Sequence, residues 1–333
     1  MKNLKSPTED VPRLAISGGR PHRNTPMPAR LAFGQDEELM LAKVIKYYRD
    51  RNLDPGYQDY FEEKYCDDFS RFIGGGYSDA VATGTAALYV AIAALNLPKG
   101  SEILVSPITD PGTLSAVILN GHIPRLVDSK PGSYNIDSIQ LEKRITPKTR
   151  AAIIVHSVGI PVEMEKIMEI ATNKTIKVVE DCSQSHGATI RQRHVGTFGQ
   201  VAAFSSMYKK AHITGSCGGI IFTSDLEFHR QGLAHADRGK PRWSPDFNDR
   251  NPSDYLFPAL NLHSNELACG IGIASLKRLP ETIKKRRNWV KKLSERINLE
   301  TKTCSILEEN PESSPFILPI KVETNLISTN VKE

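Results

Sequence analysis

The chain has 333 residues, of which 39% are hydrophobic and 24% are charged, and its formal net charge is +5. This length predicts one large domain plus a smaller piece, and the composition is that of an ordinary soluble protein. Acidic and basic residues are interspersed without a basic stripe of interleaved aromatic residues, which excludes a typical nucleic-acid-binding surface. The longest apolar stretch, around residues 86–97, is too short to span a bilayer, so we expect no membrane segment.

Cysteine usage predicts a reduced protein. The five cysteines are odd in number and none belongs to a CxxC pair: Cys66, Cys182, Cys217, Cys269 and Cys304. This pattern indicates neither a disulfide framework nor a structural zinc site. The first residues lead into no apolar segment, so we expect no signal peptide and predict a cytoplasmic protein.

The N-terminal part of the chain is predicted to be an arm followed by two helices. Residues 1–30 are rich in proline, glycine, arginine and serine, and we interpret them as an extended arm rather than a domain. Apolar residues recur at helical spacing between residues 36 and 50, which predicts the first helix. The second helix is predicted over residues 58–72 and ends at Gly74-Gly75-Gly76.

From residue 79 onward, predicted strands alternate with predicted helices. The strands are placed at residues 79–82, 102–106, 125–128, 151–156, 176–180, 201–205 and 219–222, and the helices at residues 86–95, 113–119, 138–145 and 163–172. This alternation predicts an α/β fold with a mostly parallel, doubly wound sheet. Ligands bind beyond the carboxyl ends of the strands in such sheets, and the motifs described below lie at those ends.

The C-terminal part is predicted to contain two successive helices, at residues 265–279 and 279–297, broken near Pro280. The rest is polar, with one strand candidate at residues 316–322. We therefore expect a large domain over residues 31–279. Residues 280–333 are expected to form a partial or minimal small domain.

The turn Thr83-Gly84-Thr85 lies between a predicted strand and a predicted helix. Backbone N–H groups at a helix start, with a hydroxyl beside them, form an anion site that suits a phosphate. The simpler interpretation is an ordinary helix cap with Thr85 as the capping residue. The turn matches neither the GxGxxG dinucleotide pattern nor a P-loop.

An acidic pair, Glu180 and Asp181, follows the apolar residues of a predicted strand. Successive strand residues point to opposite faces, so only one of the two can face a pocket. A carboxylate at this place can pair with a protonated ring nitrogen, or it can be a helix cap or part of a structural ion pair. Gln184 can donate to a ring oxygen; otherwise it is an ordinary loop amide.

Two adjacent lysines, Lys209 and Lys210, follow a predicted strand that ends at Ser205, whose hydroxyl can reach a phosphate. Burial and a neighbouring cation both lower a lysine pKa and favour the reactive amine. Two solvated surface lysines are the simpler interpretation, and chemistry alone does not choose between the two residues. A carboxylate for a pyridinium nitrogen and a lysine for an aldehyde are the groups that pyridoxal phosphate requires, so the pattern predicts this cofactor if the two side chains meet in one pocket.

Other kinds of site have weaker support. No histidine pair has the HExxH spacing, so we predict no metal site. A Ser-His-Asp set can be assembled from the sequence, but no GxSxG elbow is present. The cysteines are interpreted as small hydrophobic residues rather than nucleophiles.

Five segments of the chain resemble, in order, successive blocks of the DegT/DnrJ/EryC1/StrS family of sugar aminotransferases. They are residues 81–95, 102–113, 155–161, 178–188 and 196–223. The likeness extends from about residue 30 to about residue 287. It implies the aspartate-aminotransferase fold, fold type I, which is α/β with a mostly parallel sheet of the seven-stranded type between helices.

On the ring side of the cofactor, the resemblance implies that Lys210, rather than Lys209, is the lysine that binds pyridoxal phosphate. Asp181 matches the family's pyridinium partner, and Gln184 matches a glutamine near the phenolic oxygen. On the phosphate side, residues Gly84, Thr85 and Ser205 match the phosphate cradle. Asn261 matches an asparagine that reaches the phosphate in the neighbouring subunit of a homodimer.

The chain departs from the family pattern at three positions near these blocks. Asp110 occupies the place where the family commonly has an aromatic residue stacked on the pyridine ring, so we expect a cofactor contact there without stacking. Cys217 replaces an acidic residue, and His263 replaces an arginine often found after the asparagine. The C-terminal segment is shorter than is usual in the family, as expected for a truncated or minimal small domain.

The resemblance implies a pyridoxal-phosphate-dependent aminotransferase. Its substrates would be a nucleotide-linked keto sugar and an amino-acid donor, with glutamate expected by family analogy. The amino sugar product would serve a surface polysaccharide or a secondary metabolite. The alternatives are a sugar dehydratase on the same fold, a branch that typically carries histidine in place of the lysine, and a non-catalytic relative that binds the cofactor or a sugar nucleotide.

Overall fold

The computed structural model describes residues 15–27, 32–307 and 309–323. The chain divides into two units, residues 1–31 and residues 32–333. In the first unit, a single 3₁₀ turn spans Ala15–Ser17 among the residues that are described. Part of the predicted arm, residues 1–14 and 28–30, lies outside the described residues, and the assignment of residues 1–30 as an arm stays a prediction.

In the described part of the second unit, eight α-helices and eleven strands follow one another. The helices are α1 (Gln35–Arg51), α2 (Tyr60–Ile73), α3 (Gly84–Ala94), α4 (Pro111–Leu119), α5 (Ser138–Arg144), α6 (Met164–Asn173), α7 (Leu226–Ala236) and α8 (Glu266–Glu300). The strands are β1 (Tyr77–Val81), β2 (Glu102–Val105), β3 (Ile123–Leu126), β4 (Thr149–Val155), β5 (Lys177–Asp181), β6 (Thr189–Ile190), β7 (Arg193–His194), β8 (Val201–Ser205), β9 (Gly219–Thr223), β10 (Cys304–Ile306) and β11 (Ile320–Val322).

Seven strands form one sheet in the order β1-β9-β8-β5-β4-β2-β3. Strand β9 is antiparallel to both of its neighbours, whereas the pairs from β8 to β3 are parallel. This confirms the predicted mostly parallel α/β fold. The strand predicted at residues 125–128 is placed two residues too late, because pairing with β2 puts Ile123 opposite Glu102.

Both faces of the sheet are covered by helices. On one face, α3 and α4 pack on alternate residues such as Ile153 and Val179. On the other face, Ile154 and Val178 pack with α5 and α6, while Ala202 and neighbouring residues pack with α1, α2 and α8. The almost continuous apolar run of β4 therefore follows from burial on two sides.

The two helices predicted at residues 265–279 and 279–297 are one helix, α8, which continues through Pro280. The reason is packing on both sides of the proline: Pro280 itself is exposed, while Leu279 and Ile283 are buried in the core. Strands β10 and β11 then form a small antiparallel pair, so the strand predicted at residues 316–322 is shorter than expected. Residues 280–323 belong to the same unit as the sheet, and the predicted domain boundary at residue 280 stays a prediction.

Among the described helices, none combines the length and the apolar character needed to cross a membrane.

Candidate active site

A cavity of about 210 Å³ opens where three neighbouring parallel strands end, next to the first turns of α3 and α4. Val155, Asp181 and Ser205 are the last residues of β4, β5 and β8, and all three line the cavity. Seven of the eight predicted site residues lie here: Gly84, Thr85, Asp110, Asp181, Gln184, Ser205 and Lys210. The eighth, Asn261, does not line the cavity; it is exposed, and its Oδ1 accepts a hydrogen bond from the backbone N–H of His263.

The strand geometry separates the two adjacent acids. Asp181 faces the cavity, where its Oδ2 accepts from the Thr113 hydroxyl at 3.0 Å and its Oδ1 accepts from the backbone N–H of Ser183 at 3.1 Å. These bonds hold the buried carboxylate in one orientation. A carboxylate so held at a strand end suits the protonated nitrogen of a pyridine ring.

Glu180 points away from the cavity and closes a structural network. Its carboxylate accepts from the backbone N–H groups of Gly196, Phe198 and Gly199, each at 2.7 Å. His156 Nδ1 accepts from the backbone N–H of Val162, so its Nε2 carries the proton that faces Glu180 at 3.1 Å. Burial alone would raise the pKa of Glu180, but the bonds from His156 and these N–H groups lower it below its ordinary value.

The two adjacent lysines lie in different environments. Lys210 is only 8% exposed and lines the cavity, whereas Lys209 is exposed on the surface. Burial lowers the pKa of Lys210, although attraction to Asp181 and Asp110 partly opposes this effect. The resulting increase in neutral amine is what a nucleophilic or proton-accepting lysine requires.

The start of α3 forms the floor of the cavity beside Ser205. The prediction that Thr85 caps this helix is wrong: Thr83 is the cap, and its Oγ1 accepts from the N–H of Ala86 at 3.0 Å. Thr85 is therefore the second residue of the helix, and its side chain lines the cavity. A Cβ atom added to Gly84 would lie 2.5 Å from the Ser205 Cβ, so glycine allows the helix start to approach β8. Backbone N–H groups and two hydroxyls then meet in an arrangement that suits a phosphate.

Asp110 lines the same cavity but serves as the cap of α4. Its Oδ1 accepts from the backbone N–H of Gly112 at 2.8 Å, and Pro111 occupies the first position of the helix. A carboxylate and not an aromatic ring thus occupies the cavity wall at this position. Gln184 Oε1 accepts from the backbone N–H of Val158 at 2.7 Å, which leaves its amide NH₂ group as the remaining donor.

Two residues of the site were missed by sequence reasoning. Thr113 donates a hydrogen bond to Asp181. The sequence could have indicated this role only through the presence of a hydroxyl residue on the buried face of α4, whose other buried residues are apolar. Phe316 places its ring centroid 4.3 Å from Lys210 Nζ. Its backbone N–H donates to the Val158 carbonyl at 3.1 Å, a contact between distant segments that no local pattern could reveal.

Comparison with known proteins agrees with this geometry. The pattern of the DegT/DnrJ/EryC1/StrS aminotransferase family matches residues 38–332. GDP-perosamine synthase of Escherichia coli O157:H7 is 30% identical over 211 residues, which make up 63% of this chain and 56% of that protein. The chain thus spans about half the length of curated relatives such as this synthase.

Solved structures show the same fold. The X-ray structure of an aminotransferase from Psychrobacter cryohalolentis superposes with a TM-score of 0.82 at 27% identity, covering 92% of this chain and 79% of that one. A GDP-4-keto-6-deoxymannose-3-dehydratase with a trapped PLP-glutamate geminal diamine gives a TM-score of 0.80 at 27% identity, covering 90% and 80%. The family pattern and these structures confirm the resemblance seen in the sequence: the chain belongs to the DegT/DnrJ/EryC1/StrS aminotransferase family.

Proposed function

We propose that this protein is a pyridoxal-phosphate-dependent aminotransferase that converts a nucleotide-linked keto sugar to an amino sugar, with glutamate as the amino donor. One observation carries the proposal: a buried lysine, Lys210, and a buried carboxylate, Asp181, line one cavity beside an anion-binding helix start. Membership of the family supports the reaction class, and the similar synthase and dehydratase act, by their names, on GDP-linked sugars.

The residues of the cavity fit pyridoxal phosphate. Gly84, Thr85 and Ser205 would hold the phosphate, because the close approach of α3 to β8 collects N–H groups and hydroxyls in one place. Asp181 would pair with the ring nitrogen, and Gln184 has its amide NH₂ available for a ring oxygen. When bound, the cofactor supplies an electron sink that takes up the charge left when a proton leaves the adjacent carbon.

The chain's own residues would orient and move protons. Asp181, fixed by Thr113 and Ser183, keeps a proton on the ring nitrogen because a buried anion disfavours the neutral ring. Lys210 would hold the cofactor covalently in the resting enzyme. Once released, its amine would accept the proton that leaves the donor carbon in the first half-reaction and would donate a proton to the sugar carbon in the second, and its lowered pKa favours the accepting form.

The environment of His212 favours an aminotransferase over a dehydratase. A dehydratase of this family would be expected to have histidine at the lysine position, and His212 is the nearest histidine in sequence to Lys210. Its ring nitrogens contact the Tyr65 hydroxyl at 2.5 Å and the Ser275 hydroxyl at 3.2 Å, and it does not line the cavity. Burial, together with the charge of Arg278, lowers the pKa of His212 to about 3, so it stays neutral at ordinary pH.

The first experiment compares Lys210→Ala with Lys209→Ala. Wild-type protein loaded with the cofactor is expected to show a visible absorption band that borohydride abolishes, and to aminate a nucleotide-linked keto sugar with glutamate. Lys209→Ala should keep the band and the activity, because Lys209 is exposed and lies outside the cavity. Lys210→Ala should lose about 10³-fold or more in turnover, as expected for the residue that supplies both covalent and acid–base catalysis.

Product analysis separates the alternatives. A deoxygenated keto sugar with no new amine would identify a dehydratase, and tight binding without turnover across a panel of keto sugars would identify a non-catalytic relative. A borohydride-sensitive band that persists in Lys210→Ala would contradict the assignment of Lys210.

We also propose a cytoplasmic homodimer in which Asn261 reaches the phosphate bound by the other subunit. The exposed position of Asn261, outside the cavity of its own chain, supports this assignment. The product would be an amino sugar for a surface polysaccharide or a secondary metabolite.

A further inference from the structure

A second cavity, of about 460 Å³, lies over the edge strand β1 between α2, α7 and the loop that follows α7. It shares no lining residue with the cavity around Lys210. Its lining includes Gln58, Glu62, Cys66, Asp79, His229 and Arg242. Nothing in the proposed aminotransferase reaction uses this cavity.

Two of the lining residues are buried acids with unsatisfied oxygens. Glu62 is 1% exposed and Asp79 is 3% exposed. Within the part of the chain that the structure describes, Glu62 Oε1 and Asp79 Oδ2 accept no well-formed hydrogen bond, and the Gln58 amide near Asp79, whose Nε2 is also unpartnered, gives Asp79 a weak interaction. A buried carboxylate oxygen without a partner is costly, and protein interiors rarely keep two of them in one cavity.

The charges around this pair are mainly negative. Burial raises the pKa of both carboxyls, and the charges of Asp79 on Glu62 and of Asp237 on Asp79 raise them further. The nearby cation Arg242 already pairs with Asp237, as does His263. Among the described residues, neither acid forms an ion pair, although the charge of His263 acts favourably on Glu62 and the Gln58 amide on Asp79.

We propose that Glu62 and Asp79 bind a hydrated divalent cation of the Mg²⁺ type in this cavity. Two carboxylates and space for several water molecules are what Mg²⁺ uses in proteins, because it keeps part of its hydration shell. Carboxylate oxygens are hard ligands, and they favour Mg²⁺ over a softer metal. The ion would link α2 to the edge of the sheet.

The test uses Mn²⁺ as the probe, because it occupies the same oxygen sites as Mg²⁺ and its EPR signal disappears on binding. Metal-stripped full-length protein is titrated with Mn²⁺ at a pH above the raised pKa of Glu62, about 8, and that of Asp79, about 7. We expect one ion bound per chain and a rise in melting temperature on addition of Mg²⁺. Asp79→Asn and Glu62→Gln should each raise the dissociation constant by about tenfold or more.

Glu169→Gln is the matched control, because Glu169 is exposed on α6 and lines neither cavity. It should bind Mn²⁺ like the wild type. Without metal, Asp79→Asn should melt at a higher temperature than the wild type, since it removes a buried charge that forms no ion pair. Weaker Mn²⁺ binding by a variant that is at least as stable as the wild type then reflects the loss of a ligand and not the loss of the fold.

Wild-type protein that leaves the Mn²⁺ signal unchanged would overturn the proposal, and the two acids would then be a pair that shares a proton. Equal affinity of Asp79→Asn and wild type would also overturn it, because the ion would be bound elsewhere. Neither result bears on Lys210, so failure here is distinct from failure of the aminotransferase assignment.

Discussion

The amine of Lys210 experiences two opposite effects from Phe316. The ring lies 4.3 Å from Nζ and shields the amine from water, which lowers the pKa of Lys210. The same aromatic face attracts the ammonium form and so favours protonation. Burial as a whole is the largest cause of the shift, so we expect the shielding by Phe316 to outweigh its attraction for the ammonium form.

Substitutions at Phe316 should therefore move the pKa of Lys210 in opposite directions. Phe316→Ala admits water and is expected to raise the pKa, while Phe316→Leu keeps the site dry, removes the aromatic face and should lower the pKa by less than about one unit. The measurement is the rate at which an amine-reactive reagent labels Lys210 in the cofactor-free protein as a function of pH, followed by mass spectrometry. A lowered midpoint in Phe316→Ala would show that shielding by this ring is not the cause.

The neighbouring acids show how one residue's role depends on the residue beside it. Glu180 points to the opposite side of β5, where hydrogen bonds from three backbone N–H groups and His156 stabilise its carboxylate. Asp181 is then the acid that faces the cavity. The alternation of β5 was visible in the sequence, but the partners of Glu180 come from the residue that follows β4 and from the segment after β7, and they could not be read from it. The choice between the two acids thus needed either the family resemblance or the structure.

At the scale of elements, α8 shows packing overriding local preference. Proline in a helix interior lacks an N–H donor and costs about 3 kcal/mol relative to alanine. The helix nevertheless continues through Pro280, because residues on both sides of it pack against α1 and α2. A sequence rule that ends helices at proline therefore fails where tertiary contacts stabilise both halves.

Pro280→Ala is expected to stabilise the protein by about 1–3 kcal/mol, since it restores a backbone hydrogen bond, partly offset by the greater freedom of the unfolded chain. Urea unfolding of the two proteins measures the difference. Lys277→Ala, an exposed change in the same helix, is the control and should shift stability by less than about 0.5 kcal/mol. A destabilised Pro280→Ala would mean that the proline adjusts the course of α8 in a way the core requires.

Across the whole molecule, the parts that depend on local pattern were predictable, and the parts that depend on long-range packing were not. The strand and helix order and the cavity at the strand ends followed from periodicity and from the rule for parallel sheets. The predicted capping residue of α3, Thr85, lies two positions after the observed one, Thr83, because sequence patterns locate helix ends only to within one or two residues. The contact of Phe316 with Lys210 joins distant segments, and a single sequence contains no signal for it.

The proposed homodimer makes a prediction that concerns both subunits at once. Lys210 and Asp181 line the cavity of one chain, whereas Asn261 is exposed outside it. If Asn261 completes the phosphate site of the other subunit, a mixed dimer of Lys210→Ala and Asn261→Ala chains contains one site in which all residues are intact. Each variant alone should be nearly inactive, and dimers purified after co-expression with two different tags should regain activity.

The control for this experiment is a mixed dimer of Lys210→Ala and Asp181→Asn. Both residues belong to the cavity of the same chain, so each site in this dimer keeps one defect and no activity should return. Activity in the first mixed dimer but not in the second requires that residues 210 and 261 act from different subunits. If both mixed dimers and the Asn261→Ala homodimer are inactive, Asn261 acts within its own chain, because a shared site must restore turnover as soon as one intact pair is assembled.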